Sequence, residues 1–259
     1  MLTSLLRFWN SFKGNRMEEQ KLVSIITVCF NSEKTIKRTI ESVCNQTYRN
    51  IEYIIIDGKS TDNTLNVVKE YEEIFQERLT VISESDNGIY DAMNKGIALA
   101  RGEMIGIINS DDFYELDAVE QIMQHVIEDQ YQICYGEIRK LKNDIEESVM
   151  LLSHRFLEER MIGHPACFVS RAVYEKYGLY DTNYKSAADY EFMLRVFAQK
   201  EVKFIPVYSI IANFSLGGMS GTRAGYLDKI KMLRDKGKMN NIHYIILVLV
   251  ERLKGLLWY

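Results

Sequence analysis

From Leu22 onward the chain alternates short apolar runs with stretches whose apolar residues recur at helical spacing. Leu22–Phe30 (LVSIITVCF) predicts a strand, and Ser32 offers an N-cap to a helix reaching about Gln46. Ile51–Asp57 (IEYIIID) predicts a second strand, ending on an acid. A helix from about Asp62 to Phe75 follows, then a strand at Leu79–Ser83 and a helix over Ile89–Arg101, with Gly102 placed to end it. Glu103–Asn109 (EMIGIIN) predicts a fourth strand, and Ser110-Asp111-Asp112 comes directly after it. Strands so continuously apolar, separated by helices, imply an α/β fold with a mostly parallel sheet covered on both faces. Such sheets bind ligands beyond the carboxyl ends of their strands, which is where Asp57 and Asp111-Asp112 stand.

The second half is less regular. Tyr131–Leu152 reads as short, mostly antiparallel strands, Arg171–Tyr177 as a short helix and Ala188–Gln199 as a clearer one. Strand-like Val202–Pro206 and Tyr208–Phe214 lead to a flexible loop at Gly217-Gly218, a basic helix to about Lys238 and an apolar segment, Ile242–Tyr259. The pattern divides the chain into an amphipathic extension at 1–20, an α/β domain at 21–220 and a helical tail at 221–259.

With 259 residues, 47% hydrophobic and 26% charged, the composition excludes a disordered chain, a fibre and a small disulfide scaffold. The net charge of -4 argues against a duplex-binding protein. That figure hides an asymmetry, since residues 221–259 carry +5 and residues 1–220 carry -9. In the tail, Tyr244–Val250 is uninterruptedly apolar but far short of the roughly 20 residues needed to span a bilayer. Two readings stand: a basic, apolar helix lying in a membrane interface, or a helix packing on the domain or on another subunit. Cys29, Cys44, Cys134 and Cys167 form no CxxC pair, so buried free thiols in a reducing, cytoplasmic setting are expected. Met1–Phe12 has an apolar group (Leu2, Leu5, Leu6, Phe8, Trp9, Phe12) without the cleavage site of an export signal.

No GxGxxG follows the first strand and no GxxxxGK[ST] occurs, which disfavours a dinucleotide oxidoreductase or a P-loop NTPase. Asp111-Asp112 at a strand end suits Mg²⁺ or Mn²⁺ on a diphosphate, although acids also populate solvated turns. Asp57-Gly58-Lys59-Ser60-Thr61-Asp62 combines a strand end, a turn and a helix cap. From that position Asp57 can accept a hydrogen bond from the imide N–H of a uracil or thymine ring.

The ordered set Thr27-Val28-Cys29-Phe30-Asn31, Asp57 to Thr64, Asp86 to Gly96 (DNGIYDAMNKG) and Asn109-Ser110-Asp111-Asp112 resembles family 2 glycosyltransferases. The Gly88–Gly96 stretch is most similar to the subgroup of capsule and exopolysaccharide biosynthesis. The resemblance covers about Lys21 to Phe214. It implies a GT-A fold, with a Rossmann-like, mostly parallel sheet flanked by helices, a small antiparallel acceptor-side portion and C-terminal helices. It implies inverting, metal-dependent transfer of one sugar from a nucleotide-diphosphate sugar, a UDP-sugar, to a glycan or lipid-linked acceptor hydroxyl.

By the same resemblance, Asp57 contacts the nucleobase, while Asp111 and Asp112 touch the ribose and hold Mg²⁺ or Mn²⁺. Asn109 stands where many members carry Asp, which leaves the division of metal ligation between Asp111 and Asp112 open. Asp86, Asp91, Asn94 and Lys95 match the edge of the donor site, although Asp91 and Lys95 also have the spacing of a helix-face ion pair. Asp189, in Ser186-Ala187-Ala188-Asp189-Tyr190-Glu191, matches the acceptor base, and a helix cap is its alternative. Members often have Glu-Asp where this chain has Ala188-Asp189. Glu191 is the weaker base candidate, and His164 matches an acceptor-side loop contact to acceptor or leaving phosphate. The Gln-x-x-Arg-Trp signature of processive synthases is absent, which implies single additions. Other expected partners are a membrane surface at the tail or a second copy of the chain, and no nucleic acid. A catalytically silent nucleotide-sugar-binding or scaffold protein is the alternative from a different class; a nucleotidyltransferase lacks its glycine-rich first loop after Phe30.

Overall fold

A computed structural model describes residues 20–218 and 221–257, with side chains of the last helix followed to residue 253. The amphipathic group at 1–19, Met219-Ser220 and Trp258-Tyr259 lie outside the described residues. Three strands, β1 (Val23–Cys29), β2 (Ile51–Asp57) and β3 (Leu79–Ser83), run parallel, with β1 in register from Val23 opposite Ile51 to Cys29 opposite Asp57. Every residue of β1 and β2 is buried, because helices cover both faces and leave no solvent side for polar alternation. Helix α1 (Ile36–Cys44) covers one face through Ile36, Ile40 and Val43, beside Ile25 and Ile55. After α2 (Thr64–Lys69) and α3 (Glu72–Phe75), α4 (Ile89–Leu99) covers the other face with Tyr90, Met93 and Ile97 against Ile26 and Ile54. A Cβ on Gly96 would lie 2.5 Å from Ile26 Cγ2, so glycine there lets α4 settle onto β1.

Strand β4 (Met104–Ile107) pairs parallel with the free side of β1. The chain thus builds outward from β1 in one direction, then returns to build in the other, leaving a crevice at the carboxyl ends of β1 and β4. A short β5 (Phe113–Tyr114), α5 (Ala118–Met123), β6 (Gln132–Lys142) and β7 (Ile145–Met150) follow. Then come β8 (Cys167–Ser170), α6 (Arg171–Tyr177), α7 (Ala188–Phe197), β9 (Lys203–Ser215), α8 (Arg223–Asp235) and α9 (Asn241–Leu257). Among the described residues the strands form one nine-stranded sheet in the order β3-β2-β1-β4-β8-β6-β9-β5, with β7 on β6.

Several expected elements are redrawn. Ser32 does not cap α1, which starts four residues later; its hydroxyl instead meets Ser110 Oγ at 2.8 Å across the crevice. The helix expected over 62–75 divides where Tyr71 is buried with its hydroxyl on Glu41. Gly102 does not end α4, whose C-cap is Ala100; it sits against the Ser24 backbone. The two strands expected at 202–206 and 208–214 are one, β9, running parallel to β6 through a register shift opposite Glu137. The antiparallel portion is therefore β8, β7 and β5, with a parallel pair inside it. All four cysteines are free, with Cys29, Cys134 and Cys167 buried and Cys44 half-buried.

The basic tail helix α8 is docked on the domain. Met232 joins the core beside α7, Asp228 accepts from the Ser186 N–H at 2.8 Å, and Lys236 pairs with buried Glu191 at 2.7 Å. No helix among the described residues is long and apolar enough to cross a membrane.

Candidate active site

A cleft of about 870 Å³ opens at the carboxyl ends of β1 and β4. Its walls come from the loop after β1, the turn after β4, the start of α4, the His164-Pro165 loop and the start of α7. The loops after β1 and β2 are zipped to each other. Asn31 Oδ1 accepts from the Thr61 N–H at 2.8 Å, Ser60 Oγ accepts from the Asn31 N–H at 2.8 Å, and Thr64 Oγ1 accepts from the Ser32 N–H at 2.7 Å.

Asp57 is the anchor of that arrangement and is not part of the cleft lining. It is fully buried; Oδ2 accepts from the Ser60 N–H at 3.0 Å and the Ser83 hydroxyl at 2.6 Å, and Oδ1 from the Ser60 hydroxyl at 2.5 Å. Asp86 does line the cleft. A Cβ on Gly58 would stand 2.6 Å from Asp86 Oδ2, so the missing side chain at Gly58 makes room for that carboxylate. Asp91, Asn94 and Lys95 of the expected donor edge are not in the cleft lining. Asp91 accepts from the Asn87 N–H at 2.9 Å, fixing the start of α4, and sits 3.7 Å from Lys95. Lys95 pairs with Glu84 at 2.9 Å, and Asn94 clamps the Tyr180 backbone in both directions at 2.9 and 3.0 Å. The cleft is reached by the N-cap Gly88 and, from α4, by Ile89, Tyr90, Ala92 and Met93.

The turn Asn109–Asp112 is the electrostatic centre of the site. Asp112 is buried; Oδ1 accepts from the Ser215 N–H at 2.8 Å, while Oδ2 has no hydrogen-bond partner. Asn109 Oδ1 is likewise buried and unpartnered. Burial pushes the Asp112 carboxyl well above the usual carboxylate range, and the neighbouring Asp111 pushes it further. Burial also raises Asp111, against the pull of the Arg38 guanidinium, which lies over the Phe113 ring at 4.2 Å. Two crowded carboxylates and a carboxamide oxygen, two of their oxygens lacking donors, form a hard donor set that fits Mg²⁺ or Mn²⁺. Among the described residues no group of three or more His, Cys, Asp or Glu side chains is placed to hold a metal ion.

Across the cleft, Asp189 lies in the first turn of α7 and is half-buried. It does not cap the helix, whose N-cap is Ala187; instead its Oδ1 accepts from the Tyr90 hydroxyl at 2.7 Å. Among the described residues only Tyr90 hydrogen-bonds this carboxylate. Tyr90 is buried, and burial together with the Asp189 charge raises its pKa, so the phenol remains a donor. Glu191 is buried between Arg195 at 3.0 Å and Lys236 at 2.7 Å and takes no part in the cleft. His164 lines the cleft with Nε2 3.2 Å from the Tyr180 hydroxyl. Burial lowers its pKa against the opposing pull of Asp189, which favours a neutral imidazole.

Two cleft residues, Lys185 and Ser215, carry no sign in the motif pattern, whereas Phe30 and Gly218 belong to segments already singled out. Lys185 stands four residues before Asp189 and donates to the Asn87 carbonyl at 3.2 Å, linking the loops before α7 and α4. Ser215, far along the chain, comes to the acid turn only because β9 runs beside β5. Phe30 is 63% exposed in the cleft, and Gly218 belongs to the lining.

Known proteins share both sequence and fold. Residues 24–194 match the glycosyl transferase family 2 profile. A PGL/p-HBAD biosynthesis glycosyltransferase of Mycobacterium bovis (strain BCG / Pasteur 1173P2) is 28% identical over 204 residues, 78% of this chain and 80% of that protein. An uncharacterized glycosyltransferase, MT1564, of Mycobacterium tuberculosis (strain CDC 1551 / Oshkosh) is 30% identical over 235 residues, 88% and 86% of the two chains. Among solved structures, S. aureus TarS 1-349 in complex with UDP-GlcNAc superposes with a TM-score of 0.64 at 18% identity, covering 82% of this chain and 64% of that one. The mannosyltransferase PcManGT from Pyrobaculum calidifontis in complex with GDP-Man and Mn²⁺ gives 0.62 at 17% identity, covering 88% and 69%. The fold is that of the GT-A glycosyltransferases. With the family profile spanning most of the α/β body, the chain belongs to glycosyl transferase family 2 and is a glycosyltransferase.

Proposed function

We propose that the cleft takes a nucleotide-diphosphate sugar, a UDP-sugar, together with Mg²⁺ or Mn²⁺, and transfers one sugar with inversion to a hydroxyl of a glycan or lipid-linked saccharide. One observation carries this reading. A single cleft holds an acid turn with two unpartnered buried oxygens and a separate carboxylate, Asp189, oriented by Tyr90. The UDP-GlcNAc and the GDP-Man with Mn²⁺ in the titles of the fold neighbours support a donor of this class.

Asp111, Asp112 and the Asn109 amide oxygen would hold the cation, which when bound offsets negative charge on the diphosphate. Phe30 offers an exposed ring face and Asp86 an acceptor to the nucleoside, while Asp57 holds their loop in shape from behind. Tyr90 occupies Oδ1 of Asp189, which leaves Oδ2 to take the proton of the acceptor hydroxyl. As that proton leaves, the hydroxyl oxygen bonds to the anomeric carbon, the bond from that carbon to the phosphate oxygen breaks, and the nucleoside diphosphate departs from the opposite face. Lys185 and neutral His164 stand at the same cleft as donors to leaving group or acceptor. The test is thermal unfolding against a panel of nucleotide sugars with and without Mn²⁺. Stabilisation by a UDP-sugar that requires the cation supports the reading; a flat panel contradicts it.

A further inference from the structure

Helix α9 has two unlike sides. On one, Tyr244 receives the Arg234 guanidinium of α8 at 4.3 Å from its ring centre, and Leu247 and Val248 are half-buried. On the other, Ile242, Ile245, Ile246, Leu249, Val250 and Leu253 are all exposed, from 40% at Val250 to 73% at Ile242. Their spacing places them on one stripe, about 17 Å long at the helical rise. No Asp, Glu, Lys or Arg interrupts residues 239–250. A large, continuous apolar stripe of this kind on a surface marks an interaction face.

The stripe belongs to the basic part of the chain. Arg252 is exposed at its end, and Lys229 and Lys231 of α8 rest over the rings of Tyr226 and Tyr184 with no carboxylate partner among the described residues. A second copy of the chain would set this basic segment against itself. An anionic surface satisfies the apolar stripe and the surplus charge together.

We propose that the exposed face of α9 is a docking surface for an anionic lipid bilayer, lying in the interface without crossing it. Ile242, Ile245, Ile246, Leu249, Val250 and Leu253 enter the headgroup boundary, and Lys229, Lys231 and Arg252 supply the attraction to lipid phosphates. No helix among the described residues is long and apolar enough to cross a membrane.

The experiment is flotation of the full chain with phosphatidylcholine vesicles, with and without phosphatidylglycerol. The wild type is expected to float with the anionic vesicles, less so at high salt. Ile245→Asp with Leu249→Asp, both at positions more than half exposed, is expected to lower binding about tenfold or more. Ile145→Asp on β7, outside the cleft lining and 70% exposed, is expected to leave binding unchanged. Unchanged thermal unfolding shows that the double variant folds; if it does not, Ile246→Asn alone carries the comparison. The proposal is overturned if the wild type stays unbound, if the α9 variants float like the wild type, or if α9 substitution instead splits a lipid-free dimer. Release of UDP from a UDP-sugar in lipid-free solution is expected to be equal in all these proteins. Failure of docking and failure of sugar transfer are thereby read separately.

Discussion

Replacing Asp112 by asparagine preserves the side chain's shape and removes its charge. In the structure that carboxylate is buried, beside Asp111, with Oδ1 held by the Ser215 N–H and Oδ2 lacking a donor. Its pKa is raised well above the ordinary value, first by burial and then by Asp111. Each unit of such a rise is worth about 1.4 kcal/mol between the protonation states. Relieving a buried, half-satisfied carboxylate is therefore expected to stabilise the cation-free protein by about 1–3 kcal/mol at neutral pH. In melting temperature that is roughly 2–4 °C for each kcal/mol in a chain of this size. A raised carboxyl contributes stability fully below its unfolded pKa near ~4, and the contribution is lost as pH rises through the raised folded value. The wild type should thus lose melting temperature over that window, and Asp112→Asn should lose less. With Mn²⁺ and UDP the order reverses: a ligand at about 100 times its dissociation constant adds about 2.7 kcal/mol to the wild type, and little to the variant. The assay is thermal unfolding from pH 4 to 8, with and without Mn²⁺ and UDP. A variant less stable than the wild type without the cation, or one showing the same Mn²⁺ response, would refute the reasoning.

Tyr90→Phe removes the hydroxyl that orients Asp189 and leaves the ring in place; steady-state kinetics should show kcat down about tenfold or more, with UDP affinity unchanged. Gly96→Ala places a methyl 2.5 Å from Ile26 Cγ2, and denaturant unfolding should report a loss of about 1–3 kcal/mol. At the far end of the sheet, burial would raise the Glu52 carboxyl, but hydrogen bonds from Ser24 and Arg101 outweigh it and the pKa is lowered. That stability is present above the ordinary carboxylate pKa and is lost as pH falls through the lowered value, so Glu52→Gln should flatten the acid limb of an unfolding series.

The parallel half of the fold was legible because β1 and β2 are buried on both faces and so read as unbroken apolar runs. Strand β3 and helix α6 keep the bounds their residues suggest, at Leu79–Ser83 and Arg171–Tyr177. Strand β5 was not legible, since two residues carry no periodicity, and its partner β9 decides its conformation. The side chains of the site divide in the same way. Position beyond a strand end marked Asp111 and Asp112, whereas the family resemblance marked Asp189, and all three line the cleft. Spacing cannot show which face of α4 meets the cleft, so Asp91, Asn94 and Lys95 fell outside the lining while Tyr90, directly before Asp91, holds Asp189. Asp57 shows a further limit: a carboxylate at the right strand end can be consumed by its own loop. The tail's charge was visible, but that α8 docks through Met232 and Asp228 while α9 keeps an exposed stripe depends on tertiary packing.

The central claim is that Asp189 removes the acceptor proton in a cation-dependent sugar transfer within this one cleft. Its most direct measurement follows nucleoside diphosphate release from UDP-sugars with Mn²⁺, for the wild type and Asp189→Asn side by side, with donor binding measured by calorimetry. The account predicts turnover by the wild type that stops on chelation, and donor binding retained by Asp189→Asn with turnover lowered by about a thousandfold or more. Turnover by Asp189→Asn at the wild-type rate would contradict it.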